Sequence, residues 1–332
     1  MLRDMLIKEI RNYIFSKDLF KILDLNKDFN IIFLAQGEYN INFILEDKIN
    51  KYVFRVNTGS QLGLEKQIEY EYSALKRLEV SKVTPRVYYV DGSKKYIKYG
   101  VLIMEFLKGE PLNYERDLNK AARIFGEIHS VKLNKADFLS FIVEKNILSD
   151  RIKEAKNLLK DFWSSPIIKG DVKKFFYKFI NWATENAHKE KYFIDDPIQV
   201  INNTEVNSHN FIIGSNNFYL IDWEKPVISD PCQDLTQFLA PTTTLWKTNY
   251  ILKDYEVDEF FNNYERIFNG KNIRERVDIY TPYLYLRALS WCAYAYIEYQ
   301  NPNRDIKNMD TYEKIKEYLE LDFMNNLLNR WF

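Results

Sequence analysis

Phe211-Ile212-Ile213-Gly214-Ser215-Asn216-Asn217-Phe218-Tyr219-Leu220-Ile221-Asp222-Trp223-Glu224 is the stretch whose reading decides the fold. Two short apolar runs, 211–213 and 218–221, flank four turn-forming residues, which reads as a β-hairpin. Antiparallel pairing sets the residue before the first strand beside the residue after the second. Asn210 and Asp222 then meet at one end of the hairpin, where an amide oxygen and a carboxylate can share a divalent cation. Glu205 lies five positions before Asn210, near enough along the loop to face the same spot. A carboxylate beside an attacking hydroxyl, with an amide and a carboxylate on magnesium, is the working set of a phosphoryl-transfer centre. Glu205, Asn210 and Asp222 are thus the expected catalytic residues, the last two as metal ligands.

Three segments around the hairpin carry a resemblance. They are Asn203-Thr204-Glu205-Val206-Asn207-Ser208-His209-Asn210, Leu220-Ile221-Asp222-Trp223-Glu224 and Asp230-Pro231-Cys232-Gln233-Asp234-Leu235. Together they resemble the aminoglycoside phosphotransferase and choline kinase family. Its catalytic loop runs His-x-Asp-x-x-x-x-Asn, and its metal motif runs Ile-Asp-Trp or Ile-Asp-Phe-Glu. Asn210 and the metal motif match; Glu205 stands where the family has Asp, and Asn203 where it has His. The resemblance implies an α+β, bilobal protein-kinase-like fold, with a small antiparallel-sheet N-lobe and a large, mainly helical C-lobe. The expected divisions are a helical extension over 1–29, the N-lobe over 30–106 and the C-lobe over 107–332. The implied activity is transfer of the γ-phosphoryl of ATP, with Mg2+, to a hydroxyl of a sugar, amino sugar or amino alcohol. In the family the Asp230–Asp234 motif braces the catalytic segment from a helix start.

Upstream, apolar runs at 31–34 and 42–45 flank Ala35-Gln36-Gly37-Glu38-Tyr39-Asn40, and 51–56 alternates as a third strand. The family uses the Gly37 turn to cover nucleotide phosphates, though a bare turn carries a glycine equally well. Arg55 stands where the family places a cation for the α- and β-phosphates, steadied by a helix carboxylate. The helix expected over 65–80 offers Glu71, and Glu69 two positions away on a different face. Strands at 85–91 and 99–106 lead into Met104-Glu105-Phe106-Leu107-Lys108-Gly109-Glu110-Pro111-Leu112, which follows the family's hinge signature. An adenine would bind the Glu105 carbonyl and the Leu107 amide, with Met104 lining the pocket behind. The same segment also serves as a plain interdomain linker, and the two readings are compatible.

Helices follow over 118–131, 148–188, 276–300 and 311–332. Composition bounds the rest. The 47 basic and 47 acidic residues cancel, so no global field points to nucleic acid or an anionic membrane. Residues 1–20 read as an amphipathic helix rather than a signal peptide, and no apolar run approaches the ~18 residues that span a bilayer. A cytoplasmic protein with a small-molecule partner is the expectation, and the sequence leaves the oligomeric state open. Cys232 and Cys292 read as buried thiols, and His129 as structural.

The acceptor is weakly specified. Trp246, Trp291, Tyr294 and Tyr296 could cage a quaternary ammonium, 254–259 is acidic, and the polar segment 241–247 could line an acceptor site or be a plain loop. Glu205 extends the family carboxylate by about 1.5 Å, and a shift near 1 Å can cost about a hundredfold in rate. The departures leave two function classes open: a working kinase, and a nucleotide-binding module without turnover.

Overall fold

The computed structural model describes residues 2–300 and 309–331. Met1 and Phe332, the outer ends of the first and last expected helices, lie outside the described residues. Five antiparallel strands build the N-terminal sheet: β1 (Asn30–Gln36), β2 (Asn40–Glu46), β3 (Lys51–Asn57), β4 (Val87–Asp91) and β5 (Gly100–Glu105), in the order β1-β2-β3-β5-β4. The strands outrun their apolar runs, because ladder pairing continues through polar residues such as Asn30, paired with Glu46, and Asn40, paired with Asn57. The continuously apolar β5 is buried from Gly100 to Met104, as a strand covered on both faces must be.

One face of the sheet is covered by the helix Gln67–Leu78, whose Ile68, Ala74, Leu75 and Leu78 pack with Val53, Leu102 and Met104. The helix Leu2–Ser16 shares the other core, setting Leu6, Ile10, Tyr13 and Ile14 among Phe43, Phe54, Val101 and Ile103. The Tyr13 hydroxyl donates to Asp91 at 2.6 Å, tying that helix to β4.

Beyond the hinge, β6 (Glu110–Pro111), β7 (Ile142–Val143), β8 (Val200–Asn202), β9 (Phe211–Ile213), β10 (Phe218–Leu220) and β11 (Val227–Ser229) form two three-stranded sheets. Their orders are β10-β9-β6 and β7-β11-β8. Helices surround them. The first, Tyr114–His129, begins four residues before the expected 118, because Asn113 caps it by accepting the Glu115 N–H at 2.9 Å. Segment 241–247 forms a helix, with Pro241 in the first turn where its missing N–H is harmless. The single helix expected over 311–332 is two, Met309–Tyr318 and Leu321–Leu328. Extended backbone at Glu320 separates them and lets Phe323 stack on Tyr318, with ring centroids 4.6 Å apart.

Candidate active site

The hairpin pairs Leu220 opposite Phe211 and Phe218 opposite Ile213, so the residue opposite Asn210 is Ile221 rather than Asp222, and a Gly214 N–H to Asn217 carbonyl bond of 2.7 Å closes the turn. One pair further, the Ile221 N–H donates to the Asn210 carbonyl at 2.8 Å, which brings Asn210 and Asp222 to the same end. The Asn210 side-chain nitrogen donates to the Glu205 carbonyl at 2.6 Å. Its Oδ1 is left as the acceptor. Asp222 adopts a left-handed φ of 62°, uncommon for a residue with a Cβ and typical of backbone held in place by its surroundings. Its Oδ1 lies 3.5 Å from Arg55 Nη1.

The loop 203–210 hangs from buried groups. Asp234, near the start of the helix Cys232–Leu239, accepts the N–H of Asn203 at 2.6 Å and of Thr204 at 2.8 Å. Asn203 occupies the family's His position and links three backbone groups. Its Nδ2 donates to the carbonyls of Ile221 (3.3 Å) and Asp222 (3.1 Å), and its Oδ1 accepts the Glu205 N–H at 2.9 Å. His129 lies beneath, fully buried, with Nδ1 2.9 Å from the Tyr264 hydroxyl and Nε2 3.9 Å from Asp234. Asp230 accepts from the buried Arg276 at 2.6 Å.

Lys225 is a member of the site that the sequence reading missed, although it directly follows the quoted metal motif. Its Nζ abuts the Glu205 carboxylate, and its carbonyl accepts the Thr204 hydroxyl at 2.9 Å. Burial, with the Arg287 guanidinium second, pushes the Lys225 pKa down to about 8, while Glu154 and Glu38 oppose the shift. The abutting Glu205 carboxylate likewise favours the ammonium.

Arg55 and Glu71 form a buried ion pair, and Asn42 Oδ1 accepts from Arg55 Nε at 3.0 Å. Burial pushes the Glu71 carboxyl up to about 7, with Arg55 pulling the other way. Glu69 faces Gly92 on another side of the helix. Glu224 is also pushed up to about 7, by burial first and by Asp222 second. It accepts from Asn40 Nδ2 at 2.7 Å, and its carbonyl accepts from Gln67 Nε2 at 2.7 Å. These two contacts couple the β1–β2 turn and the start of the helix Gln67–Leu78 to the segment 222–224. Neither residue carries a local signal in the sequence. Gly37 closes the turn by donating to the Asn40 carbonyl at 2.9 Å, and a Cβ there would meet nothing nearer than 4.0 Å.

At the hinge, Met104 is buried opposite Val53 and Val87. The Glu105 N–H donates to the Arg86 carbonyl at 2.8 Å, and no backbone hydrogen bond among the described residues uses the Leu107 N–H. The helix Pro241–Lys247 packs beside Ser208–Asn210, and partial burial followed by the Lys247 charge lowers the His209 pKa. Trp246 meets Trp291 edge-on at 5.7 Å, whereas Tyr296 stacks on Tyr312. Within the acidic run 254–259, Glu256 caps its own helix through the Lys253 N–H at 2.8 Å. Among the described residues no three His, Cys, Asp or Glu side chains converge as a metal site, and no helix is long and apolar enough to cross a membrane.

Residues 30–267 match the model of the APH phosphotransferase enzyme family. The sequence matches no curated protein. Among solved structures the chain is similar to spectinomycin phosphotransferase APH(9)-Ia in complex with ADP and spectinomycin, at 13% identity over 94% of this chain and 96% of that one, with a TM-score of 0.63. A streptomycin–ATP–APH(2")-IIa ternary complex matches at 17% identity over 92% and 95%, with a TM-score of 0.60. Choline kinase from Cryptosporidium parvum Iowa II matches at 16% identity over 91% and 90%, with a TM-score of 0.58. At these identities the structural likenesses carry the fold, a protein-kinase-like arrangement of sheet and helices. The chain belongs to the APH phosphotransferase enzyme family.

Proposed function

We propose that this protein is a small-molecule kinase that transfers the γ-phosphoryl of ATP to a hydroxyl of a sugar, amino sugar or amino alcohol. The observation that carries this reading is the convergence of Asn210, Asp222 and Arg55 on one end of the hairpin, two residues of hard oxygen and one fixed cation. Mg2+ accepts one or two protein oxygens and takes the rest of its shell from phosphate and water. Asn210 Oδ1 and the partly exposed Asp222 carboxylate fit that role, and Mg2+ would supply charge neutralisation at the phosphates. Arg55, held by Glu71, would bind the α- and β-phosphates. Met104, Glu105 and Leu107 would hold the adenine, under the Gly37 turn.

Glu205 would orient the acceptor hydroxyl and receive its proton. The acceptor oxygen forms a bond to the γ-phosphorus as the bond from that phosphorus to the ADP oxygen breaks, in line with it. Because the transition state is loose, positioning and charge matter more than proton abstraction.

The test is ADP release across pooled amino sugars, sugars, nucleosides and amino alcohols, alongside thermal stabilisation by ATP. ATP should stabilise the protein only when magnesium is present, and Asp222→Ala should lose the effect. Glu205→Gln should abolish turnover while nucleotide binding persists. Normal nucleotide binding with no ADP release from any acceptor would overturn the reading.

A further inference from the structure

Glu205 has a fixed backbone and a longer side chain than the family's Asp. Its N–H is held by Asn203 Oδ1 at 2.9 Å and its carbonyl by Asn210 Nδ2 at 2.6 Å. With both peptide groups pinned, the Cα is fixed relative to Asn203 and Asn210. What remains free is the side chain, which has one torsion more than Asp and a carboxylate about 1.5 Å further out. Something must choose its rotamer.

We propose that Lys225 is the positioning residue that does so, matching the longer carboxylate to the place where the acceptor hydroxyl binds. The inference rests on the kinase reading above. Lys225 meets the requirements for such a part. Its side chain is only 10% exposed, against 28% for Glu205, so the ammonium is fixed while the carboxylate still reaches solvent. Its backbone is tied to the same loop, since the Thr204 hydroxyl donates to the Lys225 carbonyl at 2.9 Å. The other charged groups around it are Arg287, Glu154 and Glu38. Arg287 and Glu154 are committed to each other at 3.2 Å, and Glu154 also accepts from Arg151 at 2.8 Å. Glu205 is therefore the carboxylate that Lys225 grips directly.

The experiment is steady-state ADP release from Mg–ATP by the full chain, with and without the acceptor pool, for Lys225→Met, Lys225→Arg and Glu205→Asp. Misplacing the carboxylate by about 1 Å should lower kcat by roughly a hundredfold in Lys225→Met. The KM for ATP and the Mg–ADP thermal shift should stay unchanged. Lys225→Arg should recover most of the lost kcat. Glu205→Asp should fall with Lys225→Met rather than resemble the family enzymes, because the shorter carboxylate no longer reaches the ammonium. Wild-type kcat in Lys225→Met, with turnover abolished in Glu205→Gln, overturns the positioning role and leaves the kinase standing. Equal loss of kcat, nucleotide affinity and melting temperature in Lys225→Met, without rescue by Arg, reduces Lys225 to a structural ion and also overturns it. An unsubstituted chain that binds Mg–ATP but releases no ADP defeats both readings together.

Discussion

Glu71 is buried with one carboxylate oxygen on Arg55 and the other, Oε2, without a hydrogen-bond partner among the described residues. An ionised carboxyl so placed is penalised by lost hydration, and this is what lifts its pKa to about 7 from an ordinary value near 4.5. Between about 4.5 and 7 the native chain therefore holds a proton that the unfolded chain has released. The contribution of Glu71 to stability is full below that window and declines as pH rises through it, by roughly 3 kcal/mol at most. Binding runs the other way, because Arg55 needs the ionised carboxylate to stay fixed. The melting temperature of wild type relative to Glu71→Gln should fall from pH 5 to pH 8, while the affinity of wild type for Mg–ADP relative to Glu71→Gln should rise. Parallel curves for the two proteins in both measurements would remove Glu71 from this role.

The β1–β2 turn and the hinge differ in what they ask of glycine. Gly37 has room for a Cβ and no left-handed φ, so Gly37→Ala should change stability by less than about 0.5 kcal/mol, the usual limit for such surface sites. Gly109 sits where the hinge crosses the hairpin, and a Cβ there would lie 2.7 Å from the Ile213 backbone. Backbone cannot step aside as a side chain can. Gly109→Ala should cost about 1–3 kcal/mol in denaturant unfolding, as overpacking does, and should weaken Mg–ADP binding by separating hinge from hairpin. The hairpin was legible from local period, and the hinge strand and the Arg55–Glu71 pair were legible through the family resemblance of their motifs. The reading failed where structure depends on distant partners. Lys225 meets Glu205 across 20 positions of chain, and Asn40 meets Glu224 across 184. The Thr-rich helix Pro241–Lys247 lacks an apolar period, so only its packing against Ser208–Asn210 marks it as an element of the site.

At the scale of the whole molecule, the family match begins at residue 30, which leaves the helix Leu2–Ser16 outside it. The packing gives that helix a different status. Leu6, Ile10 and Ile14 are completely buried and Tyr13 is nearly so, all within the same core as Phe43 and Phe54 of the central strands. Burying four such side chains is worth roughly 6–12 kcal/mol at about 1.5–3 kcal/mol each. That is comparable with the 5–15 kcal/mol by which a typical domain is stable. The helix is thus a covering layer of the N-terminal sheet, without which β2, β3 and β5 present a bare apolar face to water. β3 carries Arg55 and β5 ends in the hinge at Glu105, so the loss would reach the site directly. A chain starting at residue 30 should aggregate on expression or bind no Mg–ADP, and Ile10→Ala should lower stability by about 2–5 kcal/mol. If the shortened chain instead melts cooperatively near the wild-type temperature and binds Mg–ADP equally well, the helix is an appendage and the sheet is stable without it.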